Sequence, residues 1–153
     1  MRYQSTKTYG HDVGLSACFR QPNATSHCRF LHGYSLKFRF VFAADELDER
    51  NWVVDFGGLK ELKSWLIKTF DHKLIVDAQD PHLNTFTNLQ HQGLAELTIL
   101  DGVGVELFAQ LAWHKANELV ETMTQGRCRC IEVECAEHGA NSAVYSQTER
   151  TNK

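Results

Sequence analysis

Between residues 34 and 42 the chain alternates. Tyr34, Leu36, Phe38, Phe40 and Phe42 fall on one side, Ser35, Lys37 and Arg39 on the other, and only Val41 breaks the pattern. Successive side chains of a strand point to opposite faces, so this stretch reads as a half-buried antiparallel strand with an apolar, largely aromatic face. That face needs a covering layer. Two helical patterns downstream supply one. Asp55 is placed as an N-cap before Gly57 and Gly58, and Leu59, Leu62, Leu66 and Phe70 then recur at helical spacing. A second helix is expected from about Val105 to Thr124, with Phe108, Leu111 or Ala112, Leu119 and Met123 as its apolar stripe and Gly126 suited to the left-handed position beyond its end.

A first strand is expected near residues 4–16. Cys130–Cys135 alternates and Ser142–Tyr145 is extended, with a turn over Glu137–Asn141 between them. Strict alternation sets Glu132 and Glu134 opposite Ile131, Val133 and Cys135. Lys73–Val76 is a short extended piece, and Leu94–Leu100 has room for another. Residues 77–93, with Pro81 and Gly93, read as an excursion loop holding at most a short helix. The order β-β-α-α-β-β predicts an α+β fold: a four-stranded antiparallel sheet with two helices on one face, in a single domain over residues 1–153. The polar tail from about residue 147 is expected to fray.

Composition narrows the function classes. No stretch of about 18 apolar residues is present, so no membrane-spanning helix is expected. A net charge of −3 argues against a general nucleic-acid binder. The five cysteines are an odd number, and the opening residues lack an apolar export segment, so the reading is of a cytoplasmic chain without a disulfide framework. Cys128 and Cys130 read as strand packing.

Three clusters carry chemistry. In Ser26-His27-Cys28-Arg29-Phe30-Leu31-His32-Gly33-Tyr34 a cysteine precedes by four residues a histidine that opens the main strand. A thiolate is the reactive form of cysteine, and neutral imidazole is a common zinc ligand. Asp71-His72 closes the first helix, where a carboxylate can orient an imidazole. Glu134 sits on a strand otherwise fit for a core, and a carboxylate there can receive two donors from a planar heterocycle edge.

Together these resemble the 6-pyruvoyltetrahydropterin synthase and 6-carboxytetrahydropterin synthase family. Cys28-x-x-x-His32-Gly33-Tyr34 is similar to its C-x-x-x-H-G-H motif, and Val53–Lys60 to its V-x-D-F-x-x-L-K helix entry. Phe70–Leu74 resembles its D-H-x-x-L segment. Glu106 falls where the family has the glutamate of P-T-x-E. Glu134 with Asn141–Tyr145 resembles its terminal E-T strand and A-x-Y ending. The resemblance covers about residues 5–146 and implies the tunnelling fold, closed by oligomerisation into a barrel, with a homohexamer and sites between subunits. It implies Cys28 as the proton-shuttling thiol, Asp71 and His72 as the second proton-transfer element, and Glu134, with Glu106, at the pterin.

The resemblance also implies zinc on three histidines, one ending the first strand and two in H-G-H. His32 is present, but Tyr34 stands in the second H-G-H place. The first ligand has two registrations: His11 in Tyr9-Gly10-His11, which is carried forward, or Phe19 through Leu15-Ser16-Ala17-Cys18-Phe19. The third ligand place is open to His27, a carboxylate, or the substrate with water. The P-T before Glu106 reads Val103-Gly104. The implied activity is a zinc-dependent lyase of the 6-carboxytetrahydropterin synthase kind, acting on 7,8-dihydroneopterin triphosphate on the way to 7-deazaguanine bases such as queuosine. The alternatives are a pyruvoyl-forming synthase, and a pterin- or purine-binding protein that has lost zinc chemistry.

Overall fold

The computed structural model describes residues 1–147; the polar tail lies beyond them. In chain order the elements are β1 (Tyr3–Tyr9), β2 (Leu15–Phe19), β3 (His32–Ala44), α1 (Lys60–Phe70), β4 (Lys73–Asp77), α2 (Leu83–His91), β5 (Leu97–Leu100), α3 (Val105–Thr124), β6 (Cys128–His138) and β7 (Asn141–Ser146). The alternating stretch is the spine. Leu36, Phe38, Phe40 and Phe42 are fully buried on one face of β3, and the three phenylalanine rings stack in a row at 6.4 and 6.2 Å. Helix α1 covers them with Leu62, Leu66 and Phe70, and α3 with Phe108, Ala109, Ala112 and Ala116.

The expected four-stranded sheet with two helices is instead, among the described residues, a sheet of seven strands with three α-helices. The strand order is β5-β4-β2-β3-β6-β7, with β1 also paired to β3. The expected first strand is split. Tyr9 pairs with Phe38 and Leu15 with Leu36, so residues 10–14 bulge out opposite a single position of β3. Gly14 closes that bulge at φ 78°, in the left-handed region. The other two added strands are the short apolar pieces: β4 runs parallel to β2, and β5 parallel to β4. Part of the excursion segment folds as α2, which buries Phe86 against Leu74 and Val76.

Strand β6 departs from strict alternation. Val41 pairs with Glu132 but Phe42 with Cys130, leaving Ile131 as an extra residue. The bulge sets Cys130 on the core side together with Val133 and Cys135. Ile131 joins Val41 and Ala43 in a separate buried cluster. Strand β6 also runs on through Glu137 to His138, where a turn had been expected.

Candidate functional site

At the end of the β2–β3 pair, Phe19 stands opposite His32 and Ala17 opposite Tyr34. All four side chains project to the core face. The Phe19 ring lies 5.4 Å from His32, 6.0 Å from Tyr34 and 5.2 Å from Phe108, and His32 and Tyr34 meet edge to face at 5.4 Å. Gly33 faces the other way. A Cβ there would stand 2.8 Å from the Ala17 carbonyl oxygen, so only glycine lets the two strands approach.

Cys28 lies in a 3₁₀ turn, His27–Arg29, which Ser26 caps by accepting from the Cys28 N–H. The Cys28 carbonyl accepts from the Gln21 N–H at 2.9 Å, and Gln21 Nε2 donates to the Val103 carbonyl at 2.7 Å. Gln21 thus ties the cysteine turn to the start of α3. There Gly104 takes φ 130° and ψ 155°, a conformation reserved for glycine, and Glu106 opens the helix, exposed.

Glu137 comes in from β6 next to His138, whose ring lies 6.0 Å from that of Tyr34, and so lies beside the Tyr34 hydroxyl. Burial first, then the nearby Glu137 and Cys28, push that hydroxyl above the usual tyrosine range. Cys28, His32, Tyr34 and Glu137 therefore converge on one end of the core. Glu134 does not join them. It lies on the opposite face of β6, 3.2 Å from Lys37 and 3.3 Å from the Ser142 hydroxyl, beside the Glu132–Arg39 pair. Glu137 is the residue missed by reading a turn at Glu137–Asn141. It sits at an irregularity of the β6–β7 pairing, between Ala136 and His138, which the pattern of Val133 and Cys135 does not announce.

Asp71 and His72 form a built pair on the other side of the sheet. Asp71 accepts from the Ser16 N–H at 3.1 Å and lies 2.8 Å from His72 Nδ1, which donates to it. Burial raises the Asp71 carboxyl, but the bonds from His72 and Ser16 outweigh it and hold the group below the usual carboxylate range. His72 has a left-handed backbone, φ 55°, pinned by its N–H to the Ser16 carbonyl at 2.7 Å. Its exposed ring borders a cleft of 370 Å³ with Cys18, Gly33 and Glu96. Cys18 and Gly33 point away from Phe19 and Tyr34, so the His72 cleft lies on the face of the sheet opposite to Tyr34.

The three histidines expected at a metal do not meet. His11 sits in the bulge between β1 and β2, where its Nδ1 lies at the Ser35 carbonyl and its own carbonyl accepts from Ser35 Oγ. His27 is exposed on the 3₁₀ turn. His32 directs Nδ1 to the Phe30 carbonyl at 2.7 Å; a carbonyl only accepts, so Nδ1 carries the proton and Nε2 is the free acceptor. The register places Phe19, not His11, across from His32. A zinc site needs at least three protein donors. Among the described residues no three His, Cys, Asp or Glu side chains form a group that could hold a metal ion. The residues at this position do not fit zinc.

One ion pair holds the wall of the site. Arg20 makes a two-pronged contact with buried Asp80, at 2.8 and 3.1 Å, and donates to the Arg29 carbonyl at 2.7 Å. It clamps the cysteine turn to the β4–α2 connection. The Arg20 bonds, working against burial and helped by the His82 N–H, hold Asp80 below the usual carboxylate range. A carboxyl lowered on folding stabilises the fold above its unfolded value, near about pH 4, and that contribution is lost as pH falls through the folded value. Asp80→Asn is expected to cost about 1–3 kcal/mol at neutral pH and to flatten the acid limb of stability. Urea midpoints across the acid range check this; an unchanged acid limb would contradict it.

Comparison with known structures shows the tunnelling fold. A Wolinella succinogenes protein described as uncharacterized superposes with a TM-score of 0.77 at 19% identity, over 95% of this chain and 98% of that one. The 6-pyruvoyl tetrahydropterin synthase of Plasmodium falciparum superposes with a TM-score of 0.65 at 12% identity, over 94% and 98%. The 6-pyruvoyl tetrahydropterin synthase family description matches residues 11–148, and the chain belongs to that family. A 6-carboxy-5,6,7,8-tetrahydropterin synthase of Aquifex aeolicus (strain VF5) is 32% identical over 92 residues, which is 53% of this chain and 57% of that protein. One from Rickettsia conorii (strain ATCC VR-613 / Malish 7) is 39% identical over 57 residues, 37% and 41% of the two lengths. The aligned stretches thus span 41% and 57% of the length of these two curated relatives.

Proposed function

We propose that this chain is a lyase of the 6-carboxy-5,6,7,8-tetrahydropterin synthase kind, acting on the side chain of a pterin such as 7,8-dihydroneopterin triphosphate. The family match over residues 11–148, with Cys28 and Glu137 both set near Tyr34, carries this reading. Glu137, rather than Glu134, is the carboxylate placed to receive the two donors of the 2-amino-4-oxo edge. Cys28 then stands beside the anchored ring and exchanges a proton with the side-chain carbon. Glu106 lies in the first turn of α3 near the same end, beside Gly104, where a Cβ would stand 3.0 Å from Gln21 Nε2 and 3.2 Å from Glu106 Oε2.

The second proton carrier is the Asp71–His72 pair. Asp71 fixes the tautomer with the proton on Nδ1, which leaves Nε2 as the base. Because the His72 cleft lies on the face of the sheet opposite to Tyr34, a complete site takes Cys28 from one copy and His72 from another. Among the described residues the outer edges of β1 and β7 pair with no further strand, and barrel formation closes exposed strand edges. A homohexamer of stacked trimers is the assembly proposed, working in the cytoplasm on the route to 7-deazaguanine bases. Light scattering should report several copies; a stable monomer would sink the shared site.

A second reading is favoured by Phe19 and Tyr34 at the places of two metal ligands: a pterin- or purine-binding protein without turnover. Incubation with dihydroneopterin triphosphate and product analysis separates the two. Anchoring is tested by calorimetric titration with biopterin, a pterin that lacks the triphosphate leaving group. Glu137→Gln removes the charge and turns one acceptor into a donor, so affinity is expected to fall about tenfold to a hundredfold. Glu134→Gln, on the opposite face, is expected to leave it within about twofold. The reverse ranking would return the anchor to Glu134.

A further inference from the structure

We propose that this chain has replaced the metal centre of its fold by a metal-free hydrogen-bonded site, in which Tyr34 orients the Glu137 carboxylate for the bound heterocycle. Donor chemistry and geometry both point there. The β2–β3 register puts Phe19 directly across from His32, and a phenyl ring offers no lone pair to a cation. His32 has committed Nδ1 to the Phe30 carbonyl, so it can give a single nitrogen. Tyrosine is outside the usual Cys, His, Asp and Glu ligands of zinc, and here its hydroxyl has Glu137 beside it.

The same position is packed like a core rather than a coordination shell. Phe19 is 2% exposed, and its ring touches those of His32, Tyr34 and Phe108. Tyr34 is also 6.0 Å from the His138 ring. Aromatic packing on one side and Glu137 on the other leave the phenol few orientations. A carboxylate that must receive two parallel donors from a flat heterocycle gains from having one oxygen held in place. Tyr34 is thus a positioning residue, coupled to the ligand through Glu137. This part rests on Glu137 as the pterin anchor; the metal part does not.

The first test is metal content. The full chain is exposed to zinc, desalted and analysed by mass spectrometry, beside a Phe19→His, Tyr34→His double variant and a His32→Ala variant. The wild type is expected to keep far less than one zinc per chain, and the double variant to approach one. Near-stoichiometric zinc in the wild type that His32→Ala removes would overturn the proposal and leave the pterin reading standing. If the double variant fails to fold by circular dichroism, the wild-type and His32→Ala results decide alone.

The second test is a double-mutant cycle on biopterin affinity in chelator, with Tyr34→Phe, Glu137→Gln and both. Tyr34→Phe keeps the ring and its packing. It is expected to weaken binding about tenfold in the wild-type background and hardly at all once Glu137 is glutamine. Equal losses in both backgrounds, or no loss in either, would overturn the positioning role. Absence of biopterin binding in every form would instead sink the pterin reading, with the zinc result still deciding the metal question.

Discussion

Under the lyase activity proposed above, Cys28→Ala is expected to lower turnover of dihydroneopterin triphosphate by about 10²–10⁴-fold while leaving the fold intact. The turn that carries Cys28 is held by its backbone, through Ser26 and Gln21, and by Arg20 on the Arg29 carbonyl. The sulfur takes no part in that scaffold, so its loss costs little stability. The remaining cysteines sit in different surroundings. Burial pushes the Cys128 thiol up to about 11, the Cys130 thiol up to about 12 and Cys135 well above the usual range. These three fill the core behind β6 and are chemically quiet, because the thiolate is the reactive form. Burial raises Cys18 too, and it lines the opposite cleft. Steady-state rates for Cys28→Ala and Cys18→Ala, with melting curves for each, check the assignment. A wild-type rate in Cys28→Ala would remove the thiol from the mechanism.

Phe70→Ala is expected to destabilise the protein by about 3–5 kcal/mol, the range for emptying a buried phenylalanine site. Phe70 is fully buried at the end of α1, with its ring 5.0 Å from Phe38, 5.2 Å from Phe108 and 6.0 Å from Trp65. It joins α1, α3 and the spine strand at one point, so neighbours on three elements would have to move to fill the hole. Asp71 follows directly, so the same substitution should loosen the Asp71–His72 pair and depress kcat in whatever fraction stays folded. Urea denaturation measures the first effect. A loss under about 1 kcal/mol would show that the site collapses and that this junction is not rigid.

The spine and the helices were legible because their side chains repeat at the period of the element that holds them. Leu36 to Phe42 could serve only one face of a strand, and Val105–Thr124 carried both an apolar stripe and glycine just past its end. Cys28, His32 and Asp71-His72 were also readable, since each cluster is local in the chain. What failed was everything settled by register. The bulge at residues 10–14 keeps Tyr9 and Leu15 on the same face as their partners, and nothing local says that Phe19, rather than His11, will stand across from His32. The extra residue at Ile131 and the run of β6 through to His138 are fixed by pairing with β3 and β7. Pairing energy is non-local, so the alternation of β6 was visible in the sequence while its end was not. That difference is why we propose Glu137, in place of Glu134, as the pterin anchor. Residue types and local periods thus determined the layers and the chemistry available. Strand register, a property of the folded sheet alone, decided which of those groups meet.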